Sequence, residues 1–222
     1  MITRTRSMHG RIKRLDASNN YKLTSKTPGE TAEIYHSRMV KVGKVRIAPG
    51  EWRFFMTEYF SYGSNLDQES LDIFCQKVKR PLIPLRQKNP KHAVLKGYRL
   101  DFNYYSPLMG GGAANLEPDP REEVEGIVFT MADEDMETLD LRERAPDYFK
   151  RILVTVVLND GRSLEGIVAY CACEGRKAPY TPPIHEYKSS ILKGAEAFDL
   201  SPSWLTKLRN IPSQDPKFND KK

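Results

Sequence analysis

The stretch Phe54-Phe55-Met56-Thr57-Glu58-Tyr59-Phe60-Ser61, followed at once by Tyr62-Gly63-Ser64-Asn65, decides how this chain is read. An aromatic, strand-like run stops at a small polar joint. A helix-like run, Leu66 to Val78, begins on its far side. A glycine-containing joint of this kind gathers several backbone N–H groups at one place, because the first N–H groups of a helix have no acceptor inside it. Such a place attracts a carboxylate or phosphate. The joint is therefore an expected anion cradle. Asn65 and Gln68 have the spacing of a capping box, and Ser64 and Asp67 also offer cap chemistry. Leu71, Phe74, Cys75 and Val78 then fall on one helical face. Pro81 and Pro84 end the run.

Working outward, Ala93 to Phe102 and Val124 to Met131 read as strands, with a glycine-rich loop from Gly110 to Leu116 between them. Residues 133–144 have helical spacing, and Pro146 lies just past them. Arg151 to Leu158 and Ser163 to Cys173 flank Asn159-Asp160-Gly161, the strongest hairpin signal in the chain. Ile184 to Phe198 and Pro202 to Ile211 read as two helices. On the N-terminal side, Val40 to Ile47 alternates as a short strand does, with a slip at Gly43. This order of strands and helices points to an α+β fold, not to alternating βαβ units. It divides the chain into a basic, partly disordered N-terminal extension (1–51), one domain (52–211) and a polar tail (212–222).

Charge is placed unevenly over the 222 residues. Residues 1–53 hold 12 Lys and Arg against 4 Asp and Glu, leaving 23 against 25 for the rest, although the whole chain is +6. The basic character thus belongs to the arm. Arg4, Arg6, Arg11, Lys13 and Arg14 suit a solvated tail, an organelle address or contact with an acidic partner. Nucleic acid is not expected, since charge alone would have to carry it, without zinc spacing or an aromatic platform. No run approaches the roughly 18 apolar residues of a membrane span. The three cysteines suggest a reducing compartment rather than a disulfide framework. Cys171-x-Cys173 reads as small thiols on a strand, not as a zinc site.

Glu143 is the candidate for chemistry. Met136, Leu139, Asp140 and Glu143 share one helical face, so Glu143 should follow the two apolar residues toward the interior. Burial and the negative end of the helix would both raise its pKa, as a general acid/base near neutral pH requires. The structural alternative is an ion pair with Arg142, Arg144 or Arg151. Ser64 lacks the flanking glycines of a nucleophile elbow, and neither His92 nor His185 has an evident Ser or Cys partner. Gly110–Gly112 lacks the Lys-Ser/Thr of a phosphate loop, and reads as a place of close backbone approach.

Six segments in order resemble the γ-glutamylcyclotransferase family: Tyr-Gly-Ser-Asn-Leu at 62–66, Tyr-Arg-Leu-Asp-Phe at 98–102, Gly-Gly-Ala-Ala-Asn-Leu at 111–116, Val-Glu-Gly-Ile-Val-Phe at 124–129, Leu-Asp-Leu-Arg-Glu at 139–143, and Tyr187 with Gly194-Ala195 and Leu200-Ser201-Pro202. The resemblance implies a compact mixed β-barrel flanked by helices. It implies a reaction without cofactor or metal, in which a γ-glutamyl amide cyclises to 5-oxoproline and releases an amino acid or amine. It further implies Glu143 as the general acid/base, with Tyr62, Gly63, Ser64, Asn65, Leu66, Gly111, Gly112 and Tyr187 around the substrate. The expected partner is a small γ-glutamyl molecule, the expected state a monomer or homodimer, and the expected location the cytoplasm unless the arm is an address. One departure stands out: Arg144 occupies the position after Glu143, where the family usually has glycine. Paired with Glu143, it would lower that residue's pKa and favour a non-catalytic binding protein of the same fold. Pointing elsewhere, it could bind an acidic substrate.

Overall fold

The computed structural model describes residues 44–48, 51–54 and 56–217. The arm over residues 1–43 and the tail end, 218–222, lie outside the described residues, as does the first part of the Val40–Ile47 strand.

The described residues form seven strands and four α-helices, the strands being β1 (Lys44–Ala48), β2 (Glu51–Phe54), β3 (Met56–Ser61), β4 (Lys91–Ser106), β5 (Gly111–Ala132), β6 (Phe149–Leu158) and β7 (Ser163–Ala172). β1 and β2 form a separate antiparallel hairpin. The other five close into a barrel in the order β3-β5-β4-β6-β7. Every pairing in it is antiparallel except the closing one, where Tyr59 of β3 meets Val168 of β7 in parallel. The barrel is thus the mixed α+β architecture expected, with four α-helices: α1 (Gln68–Lys77), α2 (Asp133–Glu143), α3 (His185–Ala197) and α4 (Pro202–Arg209).

Strand chemistry accounts for the barrel. The aromatic run places Tyr59 and Phe60 inside at 2% and 0% exposure. Val124, Ile127, Val128 and Phe129 are also buried, as a strand covered on both faces requires. The β4–β5 register shifts between Lys96 and Tyr98, and Gly97 sits at that shift with φ 80°. This is a left-handed position that suits glycine at a bulge. The Asn-Asp-Gly hairpin forms as read, with Gly161 at φ 82° between β6 and β7.

Two expectations are corrected. The segment from Gly111 to Leu116 is not a loop but the start of β5, paired with Ser106 through Leu100 of β4. Its glycines permit close packing: a Cβ on Gly112 would lie 2.0 Å from the Thr181 carbonyl oxygen. The second correction concerns the helix after the joint. Ser64–Leu66 form one 3-10 turn, and α1 begins at Gln68 with no side-chain cap. Gln68 does not close a box with Asn65. It reaches instead to Asp72, the Ile83 carbonyl and the Leu85 N–H.

Helix faces bury as their spacing demands. Leu71 and Cys75 of α1, Met136 and Leu139 of α2, Ile191 and Ala195 of α3, and Trp204 and Leu208 of α4 are all buried. Ser201 caps α4 by accepting from the Trp204 N–H at 3.1 Å, with Pro202 at the first helical position. No helix among the described residues is long and apolar enough to cross a membrane. Cys75, Cys171 and Cys173 are all free thiols, and burial pushes that of Cys171 up to about 11.

Candidate active site

A cavity of about 350 Å³ opens where the joint, the C-terminus of α2, the β4–β5 tip and α3 come together. Tyr62, Gly63, Ser64 and Asn65 line one side of it, and Glu143 and Tyr187 also face it. Leu66 is buried beneath the joint at 1% exposure. Gly111 and Gly112 do not line the cavity. They press against Thr181, Pro182 and Ile184, and their neighbours Ala113 and Ala114 reach the cavity in their place.

Glu143 ends α2, whose apolar face turns the last carboxylate inward. Its Oε1 accepts from Asn65 Nδ2 at 2.8 Å. The same amide nitrogen donates to the Tyr59 hydroxyl at 2.9 Å. Asn65 therefore ties the joint to the acid through its side chain, a role the capping reading did not anticipate. Its Oδ1 is buried without a partner among the described residues. None of the three arginines pairs with Glu143. Arg142 donates to the backbone oxygen and hydroxyl of Ser70. Arg151 holds Asp140 in a two-pronged contact at 2.8 and 2.7 Å. Arg144 lies over the Tyr148 ring, 3.5 Å from its centre.

Burial is the main cause that raises the Glu143 pKa, and the Asp140 carboxylate adds to it. The Asn65 donor and the Arg142 charge oppose the shift without cancelling it. A carboxyl held this way is protonated over a wider range than a free one, and exchanges its proton closer to neutral pH.

A polar chain behind the acid keeps α2 in place. Asp140, one turn before Glu143, accepts from the Tyr170 hydroxyl at 2.7 Å as well as from Arg151. Arg151 Nη2 also donates to the Met136 carbonyl. The Tyr62 hydroxyl donates to the Tyr170 backbone oxygen at 2.8 Å. On the other side, the Ala114 N–H donates to the Tyr187 hydroxyl at 3.2 Å. Burial raises the pKa of Tyr59, Tyr62 and Tyr187, so all three stay neutral phenols.

Tyr59, Tyr170 and the Asp140–Arg151 pair escape a motif search because each reads as ordinary strand or helix surface. Their signal is positional: Asp140 shares the face of Glu143, and Arg151 lies near the start of the strand that follows. Of the tyrosines Tyr104, Tyr105 and Tyr180, only Tyr104 lines the cavity. Among the described residues no group of three or more His, Cys, Asp or Glu gathers as metal ligands would.

Residues 59–189 match the family described as gamma-glutamyl cyclotransferase, AIG2-like. The chain is similar to the γ-glutamylcyclotransferase of Bos taurus, 27% identical over 169 residues that cover 72% of this chain and 80% of that one. It is similar to the Homo sapiens γ-glutamylcyclotransferase at 28% over 167 residues, covering 71% and 79%. A solved γ-glutamyl cyclotransferase structure superimposes with a TM-score of 0.60 at 25% identity, covering 72% of this chain and 90% of that one.

Proposed function

The chain belongs to the gamma-glutamyl cyclotransferase, AIG2-like family, and from that footing we propose that it cyclises a γ-glutamyl amide to 5-oxoproline and releases an amino acid or amine. The observation that carries the proposal is the Glu143 carboxyl. It faces the cavity, its side chain bonds to Asn65 alone among the described residues, and its pKa is raised by desolvation.

The reaction needs little from outside the substrate. The α-amine of the γ-glutamyl group attacks its own side-chain carbonyl carbon. The new C–N bond closes a five-membered ring, and the bond to the leaving amine breaks. The ammonium loses one proton to solvent by way of the base before it attacks, and a second as its nitrogen becomes the ring N–H, and the departing nitrogen must gain one to leave as the amine. Glu143 is assigned these transfers, first as base and then as acid. The substrate α-carboxylate is assigned to the backbone N–H groups of Gly63, Ser64 and Asn65, which line the same cavity. Tyr62 and Tyr187 wall the compact conformer. Holding that conformer supplies a large share of the rate, because attack is intramolecular. The domain assigned to this chemistry spans 52–211.

The test is 5-oxoproline release from a panel of γ-glutamyl amino acids and γ-glutamyl amines. No release from any of them by folded protein sinks the proposal. A second expectation concerns Asn65. Asn65→Leu keeps the branching of the side chain but removes the donor that favours the ionised carboxylate, so the Glu143 pKa should rise further. The acidic limb of kcat/KM should then move to higher pH. An unmoved limb would mean that Asn65 does not tune the acid.

A further inference from the structure

The rim of the cavity is cationic. Lys77, Arg142 and Arg144 line it, and among the described residues Glu143 is the one carboxylate that does. Arg142 is committed to Ser70, with both of its contacts at 2.8 Å. Arg144 has neither an ion pair nor a side-chain hydrogen bond among the described residues. Its guanidinium rests on Tyr148, and Arg176 lies 4.2 Å from the centre of the same ring. Tyr148 meets Tyr104 edge-on at 6.2 Å, and Tyr104 packs on Phe149 at 5.1 Å. These three rings line the cavity as well. The result is an aromatic shelf with positive charge over it.

A guanidinium stacked by its face is held in one plane while its edge keeps N–H donors available. That edge matches a carboxylate in a two-pronged contact. The backbone at Arg144 is left-handed, φ 52° and ψ 41°, where glycine would be the unstrained choice. The position therefore holds an arginine at some cost to the chain, and apart from the Tyr148 ring no ion-pair or side-chain hydrogen-bond partner among the described residues accounts for it.

We infer that Arg144, steadied by Tyr148, is a specificity residue that takes a carboxylate on the leaving amine, so that anionic leaving groups are preferred over neutral ones. The inference rests on the cyclotransferase reading above. In an α-amino acid leaving group the carboxylate is two bonds from the nitrogen that Glu143 protonates, and Arg144 is the next residue in the chain. Lys77 adds long-range attraction on the same rim.

The experiment compares γ-glutamyl-alanine with γ-glutamyl-alaninamide, which differ in one charge and hardly in shape. The parent should favour the acid by roughly 10- to 100-fold in kcat/KM, the worth of a hydrogen bond to a charged group. Arg144→Gly, which also relieves the left-handed backbone and so should fold, is expected to collapse that ratio toward one. Arg144→Lys keeps the charge without the fork and should fall between. Equal use of both compounds by the parent, or an unaltered ratio in Arg144→Gly, overturns the inference. If neither compound yields 5-oxoproline, the cyclotransferase reading fails separately. Titration calorimetry with the same pair then decides Arg144: tighter binding of the acid, lost in Arg144→Gly, upholds it, and equal binding rejects it.

Discussion

Glu143→Gln is expected to lower kcat for 5-oxoproline formation by about 10²- to 10⁴-fold, the usual worth of a positioned proton-transfer group, while making the protein more heat-resistant above neutral pH. The two effects share one cause. Folding half-buries the carboxyl in the cavity wall, where poor solvation raises its pKa above the ordinary glutamate value of 4.5. A raised acid favours the folded state fully at pH below its unfolded value. That contribution is lost as pH rises through the folded value, because charge must then be held in a poorly solvated place. Glutamine has no such charge, yet its Oε1 still accepts from Asn65. The melting temperatures of parent and variant should converge near pH 4 and separate by pH 8, with the variant higher. Turnover equal to the parent's would remove Glu143 from the mechanism. A variant less stable at pH 8 would show that burial does not strain this carboxylate.

Gly194→Ala should cost roughly 2 kcal/mol or more of stability and, in the protein that remains folded, should cut turnover sharply. Two effects oppose each other at this position. Alanine is the better helix former by about 1 kcal/mol. Its Cβ, however, would lie 2.5 Å from Leu66 Cβ, 2.6 Å from the Leu66 carbonyl carbon and 2.8 Å from the Asp67 nitrogen. Two of those atoms are backbone and cannot rotate aside, so the steric effect wins. Relief would push α3 and the Ser64–Leu66 turn apart. A displacement of about 1 Å at a positioning element can cost on the order of 10²-fold in rate. Urea denaturation and steady-state kinetics on the variant check both halves. A stability equal to or above the parent's would mean that the turn gives way at no cost.

Most of this site was legible where chemistry and periodicity coincide. The joint at 62–65 announces itself by strand, small residues and helix in succession. Glu143 is legible because Met136 and Leu139 must turn inward and carry it with them. The Gly111–Leu116 segment was misread because a run of glycine and alanine has no strand propensity. What makes it a strand is Leu100 to Ser106 lying opposite, which no local pattern reveals. The Asn65 side chain was misread for a related reason. Capping is a local option open to any Asn before a helix, whereas its actual partners, Tyr59 and Glu143, stand on a separate strand and helix. The direction of Arg144 is likewise a tertiary matter, settled by the ring of Tyr148.

The single parallel contact that closes the barrel, Tyr59 with Val168, has a bearing on how the molecule reaches its native state. β3 is made before its closing partner, with β4, β5 and β6 between them. Until β7 is in place, β3 has one bare edge, and such an edge can pair with another chain. Closure over so long a loop is slow compared with hairpin formation, and non-local sheets of this kind form in milliseconds to seconds. Tyr59 also touches Asn65 and Tyr170, so the last bond of the barrel and the first ordering of the acid's surroundings become one event. Recovery of catalysis on refolding should therefore track barrel closure, not the earlier appearance of secondary structure.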